Sequence, residues 1–233
     1  MTTVLITGAN RGLGLEFVRQ YAAEGWQVIA ASRQPQPALA TELNKLALAY
    51  PNIQLETLDV AEFEQIDALA KKLANQPIDV LINNAGIYGD ERGHGFGQLD
   101  YQAWTKTLIV NTQAPVKMAE AFLPQIKQGN NKLVATVSSL MGSIADNGSG
   151  GSLLYRSSKS AVNSVMKSLA IDLNDQGIGT LILHPGWVRT DMGGPNGLID
   201  VEESVTGMRK VIADFTLAQS GTFVKYDGAI APW

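Results

Sequence analysis

Cysteine is absent from the 233-residue chain, and histidine occurs only twice, at His94 and His184. Without cysteine the protein has no disulfide, no thiol nucleophile and no cysteine–metal site, and two distant histidines do not suggest a zinc site. No apolar run approaches the roughly 20 residues that a membrane span needs. Met1 leads almost directly into the first apolar run, with no secretory signal. We therefore expect a cytoplasmic protein with no membrane partner.

Charged residues are also scarce, at 17% of the chain, and neither sign dominates. Lysine and arginine number 18, against 22 aspartates and glutamates, so the net charge is −4 with neutral histidines. Proteins that bind nucleic acid usually present a basic patch and a basic excess. The charge balance therefore gives no support to a nucleic-acid partner.

Short apolar runs alternate with longer amphipathic stretches along the whole chain. Runs that are apolar on both faces are typical of buried parallel strands, and the amphipathic stretches have helical spacing. Regular alternation predicts a doubly wound α/β fold, with a seven-stranded, mainly parallel sheet and helices on both faces. No linker-like break occurs, so we expect residues 1–233 to form a single domain. The predicted strands are 3–7, 26–32, 53–58, 78–82, 132–138, 178–183 and 222–225, and the predicted helices are 12–24, 38–49, 62–74, 100–127, 155–175 and 202–218.

Three glycines, Gly8, Gly12 and Gly14, follow the first predicted strand and open the first predicted helix. Because they lack side chains, backbone N–H groups can approach a pyrophosphate, and the helix N-terminus adds positive potential. A glycine cluster alone can be an ordinary tight turn. The strand before it and the helix after it are the context that a phosphate site requires, so the sequence predicts a nucleotide site here.

Tyr155 and Lys159 stand four residues apart in a segment with helical spacing, which places them on one helix face. A phenol has a pKa of about 10, and we expect the neighbouring ammonium to lower it. The phenol can then give a proton to a carbonyl oxygen and be regenerated near neutral pH. Alone, the pair can also be a simple helix-surface contact. Together with the glycine turn it indicates a catalytic pair.

The glycine spacing G-x-x-x-G-x-G, taken with Tyr155 and Lys159, resembles that of the short-chain dehydrogenase/reductase family. Further segments agree in order and spacing from residue 7 to about residue 190. Within the family the resemblance is closest to sniffer-type carbonyl reductases and C-factor-like proteins, and it is carried by HPGWVRTDMGG and GTFVKYDGAIAPW. The other matching segments are Asp59-Val60, residues 83–86 (NNAG), Asn111, Ser138-Ser139 and Pro185-Gly186.

The resemblance implies a Rossmann-type fold and hydride transfer from NADPH to the carbonyl carbon of an aldehyde, ketone or quinone. It makes Tyr155 the general acid, and it gives Lys159 a second role at the nicotinamide ribose. It makes Ser139 the donor to the carbonyl oxygen and Asn111 the holder of a water that links Lys159 to solvent. Without the resemblance, Ser139 would be interpreted as a hydroxyl at the end of a strand, and Asn111 as an exposed amide in a helix. We interpret Ser138 as such a strand-end hydroxyl.

The resemblance also implies which residues contact the cofactor. Asp59 is expected at the adenine amine and residues 84–86 at the adenosine. Residues of the segment 185–190 are expected at the nicotinamide and pyrophosphate. The complete expected set is Gly8, Asn10, Arg11, Gly12, Leu13, Gly14, Arg33, Asp59, Val60, Asn84, Ala85, Gly86, Tyr155, Lys159, Pro185, Gly186, Val188 and Thr190.

The end of the second predicted strand indicates which dinucleotide binds. In NAD-binding folds an acidic residue there accepts hydrogen bonds from the ribose 2′-OH, but this chain has Ser32 followed by Arg33. Arg33 and Arg11 carry planar donor groups that suit a 2′-phosphate, although each can also be an ordinary surface residue. We therefore expect NADP(H), with NAD(H) as the alternative, and no metal.

Pro115 stands four residues after Asn111 inside a predicted helix. Proline has no N–H to bond the carbonyl of residue 111, so one reading is a kinked helix whose free carbonyl holds water beside Lys159. The other reading is that Pro115 begins a second helix. The two glycine-rich segments 88–98 and 142–152 are read as surface loops that border the substrate entrance.

Two further functions stay open beside a carbonyl reductase. One is a C-factor-like signalling or regulatory protein that binds NAD(P) and turns over little. The other is a sugar-nucleotide epimerase, which shares Tyr-x-x-x-Lys but needs an additional substrate domain. The predicted helices 100–127 and 155–175 are also more apolar than one sheet face requires. We therefore expect a homodimer that acts on a small-molecule carbonyl substrate.

Overall fold

One seven-stranded sheet runs through the molecule in the computed structural model, which describes residues 2–33, 41–91 and 93–233. The strands are β1 (Thr3–Thr7), β2 (Gln27–Ser32), β3 (Ile53–Thr57), β4 (Val80–Asn83), β5 (Leu133–Val137), β6 (Gly179–His184) and β7 (Thr222–Lys225). Their order is β3-β2-β1-β4-β5-β6-β7, and every neighbouring pair is parallel. The predicted doubly wound α/β fold is confirmed, with a sheet that is parallel throughout.

Helices connect the strands and lie on both faces of the sheet. The predicted helix over 38–49 begins, within the described residues, at Glu42, where the Thr41 hydroxyl accepts a hydrogen bond from the Asn44 amide at 3.2 Å. Residues 38–40 lie outside the described residues. No helix in the described ranges is both long and apolar enough to cross a membrane. The helices are α1 (Gly12–Ala23), α2 (Glu42–Ala49), α3 (Phe63–Lys72), α4 (Tyr101–Leu108), α5 (Ala114–Ala121), α6 (Leu123–Gln128), α7 (Leu153–Asp172) and α8 (Val201–Ala213).

The hydrophobic core is divided between the two faces of the sheet. Successive side chains of a strand point to opposite faces, so neighbouring residues of β1 enter different clusters. Leu5 packs in one cluster with Met118 of α5 and Met166 of α7. Ile6 packs in the other with Phe17 of α1. Both faces are apolar and covered, which explains why the strands show continuous apolar runs instead of alternation.

The prediction of a single helix over 100–127 is wrong. A π-helical turn at Ile109–Gln113 separates α4 from α5, and α6 follows as a third segment. Pro115 and Pro124 each lie in the first turn of the segment they begin, where a missing N–H is tolerated. The regular α-helix is interrupted by the π-helical turn that contains Asn111, and Pro115 lies in the first turn of the helix that follows, in agreement with the second reading. The bonding of the Asn111 main-chain carbonyl stays a prediction.

Candidate active site

A cleft of about 690 Å³ lies at the carboxyl ends of the strands. Strand order reverses between β1 and β4, and ligands in open parallel sheets bind at this switch point. Four of the predicted site residues do not line the cleft: Asn111, Ser139, Gly186 and Val188. Those that do line it are Gly8, Asn10, Arg11, Gly12, Leu13, Gly14, Arg33, Asp59, Val60, Asn84, Ala85, Gly86, Tyr155, Lys159, Pro185 and Thr190.

The turn between β1 and α1 requires glycine for two separate reasons. Gly8 and Gly12 have φ angles of +67° and +51°, which strain any residue with a side chain. Gly14 lies so close to the turn that a side chain there would overlap the carbonyl oxygen of Gly8. Helix α1 begins at Gly12, and the preceding Arg11 gives its first turn no side-chain cap. The N–H groups of that turn therefore suit an anionic group such as a pyrophosphate.

Asn84 fastens the glycine turn to the end of β4. Its side-chain amide donates to the carbonyl oxygens of Thr7 at 2.9 Å and Gly8 at 3.2 Å. The Thr7 hydroxyl in turn accepts from the backbone amides of Asn84 and Ala85, both at 3.1 Å. The side-chain amide of Asn84 is therefore engaged in holding the glycine turn. Sequence reasoning missed Thr7, whose one signal was a hydroxyl at the last position of an apolar strand.

The end of β2 places a hydroxyl and a guanidinium at the cleft. Ser32 is buried, and its hydroxyl finds no hydrogen-bond partner among the described residues. Arg33 is exposed beside it, and both line the cleft. Arg11 forms an ion pair with Asp191, with 2.7 Å between Nη1 and Oδ2, and both side chains are largely exposed. Exposed pairs contribute only about 0–1 kcal/mol, so Arg11 is readily released to an anionic ligand.

Tyr155 and Lys159 lie in the first two turns of α7, and both are buried. The Lys159 ammonium lies 5.7 Å from the centre of the Tyr155 ring and donates to the carbonyl oxygen of Val137 at 2.9 Å. The side chains share one face of the helix, as their spacing predicts. The ammonium binds the end of β5 and not the phenol oxygen.

Burial controls the acidity of both groups. It raises the pKa of Tyr155 to about 12, against a smaller lowering by the hydrogen bond from Ser139, while the Tyr88 phenol adds to the increase. Burial lowers the pKa of Lys159 to about 8. The expectation that Lys159 lowers the pKa of Tyr155 is therefore wrong for this structure, in which burial dominates the shift and the lowering comes from Ser139. The phenol stays protonated at neutral pH, which is the form that a proton donor needs.

The two serines after β5 have different environments. The Ser138 hydroxyl is buried and donates to the Asn163 side-chain oxygen at 2.5 Å. The Ser139 hydroxyl accepts from the Met141 amide at 3.2 Å, and the hydroxyl lowers the pKa of the Tyr155 phenol. Of the two hydroxyls, that of Ser139 is thus the one that acts on the phenol, whereas that of Ser138 is bonded to Asn163.

Asn111 is buried in the π-helical turn, so its reading as an exposed amide is wrong. Its side-chain oxygen accepts from the Ile87 amide at 2.9 Å. Its amide group donates to the Ile87 carbonyl at 2.8 Å and to the Ser158 hydroxyl at 3.0 Å. Asn111 therefore joins the loop after β4 to α7. Both of its amide hydrogens are engaged, so Asn111 can hold a water only through a carbonyl oxygen, of the side chain or of the main chain.

Three contacts around the start of α7 and the end of β5 were not predicted from the sequence. The ring of Tyr88 packs on that of Tyr155 with 4.9 Å between centres. The Asp90 carboxylate accepts from the first backbone amides of α7. His184, whose pKa burial lowers to about 4, accepts from the Leu140 amide at 3.1 Å through Nδ1. Each partner is distant in sequence, so no local pattern pointed to these contacts.

Comparisons with known proteins agree with this geometry. The family model described as short chain dehydrogenase matches residues 2–197. C-signal of Myxococcus xanthus is 42% identical over 166 residues, which cover 71% of this chain and 99% of that protein. The NADPH-bound carbonyl reductase from chicken fatty liver superimposes with a TM-score of 0.92 at 35% identity, covering 100% of this chain and 99% of that chain. Carbonyl reductase Sniffer of D. melanogaster gives 0.91 at 36% identity, with full coverage of both chains. The chain therefore belongs to the short-chain dehydrogenase/reductase family.

Proposed function

We propose that the protein is an NADPH-dependent carbonyl reductase that converts an aldehyde or ketone to an alcohol, or a quinone to a hydroquinone. The observation that carries the proposal is the buried, protonated phenol of Tyr155. The phenol is influenced by the nearby Ser139 hydroxyl, which lowers its pKa, and it lines a cleft whose other residues suit a dinucleotide.

The residues at the cleft favour NADP(H) over NAD(H). The uncapped first turn of α1 would hold the pyrophosphate. The Arg33 guanidinium and the unpartnered Ser32 hydroxyl would hold the 2′-phosphate, with Arg11 as a further donor. No carboxylate stands at Ser32 to repel it. The chicken carbonyl reductase, solved with NADPH, supports this assignment.

A bound nicotinamide supplies the hydride that reaches the carbonyl carbon. Tyr155 gives its proton to the carbonyl oxygen, and Ser139 donates a hydrogen bond to the same oxygen as negative charge develops there. Lys159, with a pKa of about 8, is mostly charged at neutral pH and would donate to the ribose. A water at the main chain of Asn111 would return a proton to Tyr155 through Lys159. One NADPH and one proton are consumed per molecule of substrate reduced.

The 42% identity to C-signal favours a second candidate, a signalling or regulatory protein that binds NAD(P) and turns over little. The complete set of Ser139, Tyr155, Lys159 and Asn111 supports turnover instead. The epimerase reading has less support, because α8 and β7, which follow residue 190, cover and extend the sheet and do not form a separate substrate domain.

NADPH consumption over a panel of aldehydes, ketones and quinones tests the proposal. Tyr155→Phe removes the proton donor but almost no volume, and we expect turnover to fall by roughly 10²-fold or more with NADPH binding retained. Tyr101→Phe, at an exposed position of α4, is the matched control and should keep wild-type turnover. If no carbonyl in the panel is reduced by the wild type, the proposed activity is wrong. If Tyr155→Phe remains active, Tyr155 is not the acid.

A further inference from the structure

The first turn of α7, which carries Tyr155, is capped from a distant part of the chain. The two carboxylate oxygens of Asp90 each accept a hydrogen bond from this turn. Oδ1 accepts from the Leu154 amide at 3.1 Å, and Oδ2 accepts from the Tyr155 amide at 2.8 Å. These are the amides that the residue preceding a helix usually caps with its own side chain.

Ser152, the residue that precedes α7, does not supply this cap. Its backbone is left-handed, with φ and ψ both 47°, and its side chain makes no capping bond. The Ser152 hydroxyl is instead hydrogen-bonded to the Tyr88 hydroxyl at 2.6 Å. Tyr88 also packs on the Tyr155 ring. Residues 88–90 therefore contact the start of α7 at three points, which we call the 88–90 clamp.

Gly89 fixes the 88–90 clamp against α4. Its φ is +79°, and a side chain at this position would overlap the buried Thr107 side chain of α4. The segment can therefore lie against α4 only with glycine in the middle. Gly89 and Glu91 also line the cleft. The clamp thus joins three parts of the site: the cleft wall, α4 and the turn of α7 that holds the phenol.

We propose that Asp90 is a positioning residue for the reduction, one that holds the Tyr155 phenol in place by binding the Tyr155 main-chain amide. This inference rests on the proposed function. A carboxylate is favoured at a helix N-terminus, and bonds from amides to a charged oxygen are stronger than neutral ones. A displacement of about 1 Å at a reacting group can reduce a rate by about 10²-fold, so loss of this cap should act on turnover.

The test compares Asp90→Ala with Asp100→Ala. Asp100 is a matched control because its carboxylate caps α4 in the same way, accepting from the amides of Gln102 at 2.8 Å and Ala103 at 2.9 Å. It lies close to Asp90 in sequence, but its helix, α4, carries none of the proposed catalytic residues. We expect Asp90→Ala to lower kcat by about 10-fold or more, with the NADPH dissociation constant within about threefold of wild type. Asp100→Ala should keep kcat within about twofold.

Asp90→Asn adds a graded measurement. Asparagine keeps one acceptor oxygen for the helix and places a donor where the second oxygen was, so its kcat should lie between those of wild type and Asp90→Ala. The proposal is overturned if Asp90→Ala loses no more kcat than Asp100→Ala. It is also overturned if NADPH affinity falls in parallel with kcat, because the segment would then act through the cofactor cleft. If Asp90→Ala does not fold, unchanged kcat in Asp90→Asn overturns it.

A readout that does not depend on activity separates this proposal from the proposed function. Hydrogen exchange of the Leu154 and Tyr155 amides should be faster in Asp90→Asn than in wild type, while the Gln102 and Ala103 amides stay unchanged. An inactive wild type would contradict the reductase. Unchanged exchange at Leu154 and Tyr155 would contradict the role of Asp90, whatever the substrate.

Discussion

Burial changes the acid–base properties of Tyr155 and Lys159 in opposite directions, raising the pKa of Tyr155 to about 12 and lowering that of Lys159 to about 8. Both shifts favour the neutral form, because the apolar surroundings penalise a phenolate and an ammonium alike. A protonated phenol suits a reductase. The buried Lys159 ammonium, in contrast, lowers the free energy of unfolding. Removing it should therefore raise the stability of the folded protein, and this effect can be measured.

We expect Lys159→Met to be inactive, to bind NADPH less tightly, and yet to melt at or above the wild-type temperature near neutral pH. The fall in pKa from 10.5 to about 8 corresponds to on the order of 3 kcal/mol of destabilisation by the buried charge. Loss of the bond to Val137 offsets about 1 kcal/mol of that gain.

The pH dependence provides the check. Between these two pKa values the unfolded chain binds more protons than the folded one, so the wild type gains stability as pH rises through that window. The stability advantage of Lys159→Met should therefore shrink between pH 8 and pH 10.5, as followed by thermal unfolding. A constant difference would show that Lys159 does not titrate there.

Arg33 is expected to decide the preference between the two dinucleotides. Arg33→Asp removes a donor from the 2′-phosphate and introduces a carboxylate that can accept from ribose hydroxyls. Bonds to charged groups contribute about 1.5–3 kcal/mol, so NADPH affinity should fall by roughly 10- to 100-fold while NADH affinity rises. The shift in melting temperature with each dinucleotide measures this. Arg19→Asp, on an exposed part of α1, changes the net charge equally and should leave the preference unaltered.

At the scale of elements, the helix after β4 is divided where the site needs it. The π-helical turn at Ile109–Gln113 places the buried Asn111 side chain against both Ile87 and Ser158, which couples the loop after β4 to α7. π-helical turns occur frequently at functional sites. Pro115, the second residue of α5, lies just after this turn and supplies no N–H to complete regular α-helical bonding.

Pro115→Ala adds a backbone N–H that can compete with water for a carbonyl of the turn. We expect kcat to fall by roughly 3- to 10-fold, a small part of the roughly 10²–10⁴-fold that proton transfer contributes, with less effect on NADPH binding. Pro124→Ala, in the equivalent first turn of α6, is the control and should leave both values unchanged. Equal effects of the two variants would show that Pro115 acts on helix stability alone.

At the scale of the whole molecule, the surface outside the cleft contains apolar side chains on α4 and α7. Tyr101 on α4 is 69% exposed and Ile171 on α7 is 67% exposed, and the two helices contact each other. Helices with exposed apolar side chains next to one another are suited to pair with a second copy, and a two-fold interface is the commonest arrangement in homo-oligomers.

We expect light scattering at micromolar concentration to give twice the chain mass of 24.9 kDa. Tyr101→Lys should shift the protein toward the monomer by placing a charge in the interface. Leu48→Lys, which adds the same charge at an exposed position of α2, should not. A wild-type mass of 24.9 kDa would contradict the homodimer.

Local patterns were sufficient to predict the sheet and the elements that bear the site. Short runs that are apolar on both faces located all seven strands to within about two residues, and glycine spacing located the turn between β1 and α1. The single helix over 100–127 was wrong because helical periodicity continues through a π-helical turn, which adds one residue without changing the apolar composition.

The amino-acid sequence by itself determined the parallel sheet, the glycine turn and the shared helix face of Tyr155 and Lys159, because each depends on residues close together in the chain. Only the tertiary structure decided the protonation of the phenol, the contact between Arg11 and Asp191, and the cap that Asp90 gives to α7. These depend on burial and on contacts between distant segments. Local residue spacing encodes neither burial nor these distant contacts, because solvation and hydrogen bonding depend on which surfaces the fold brings together.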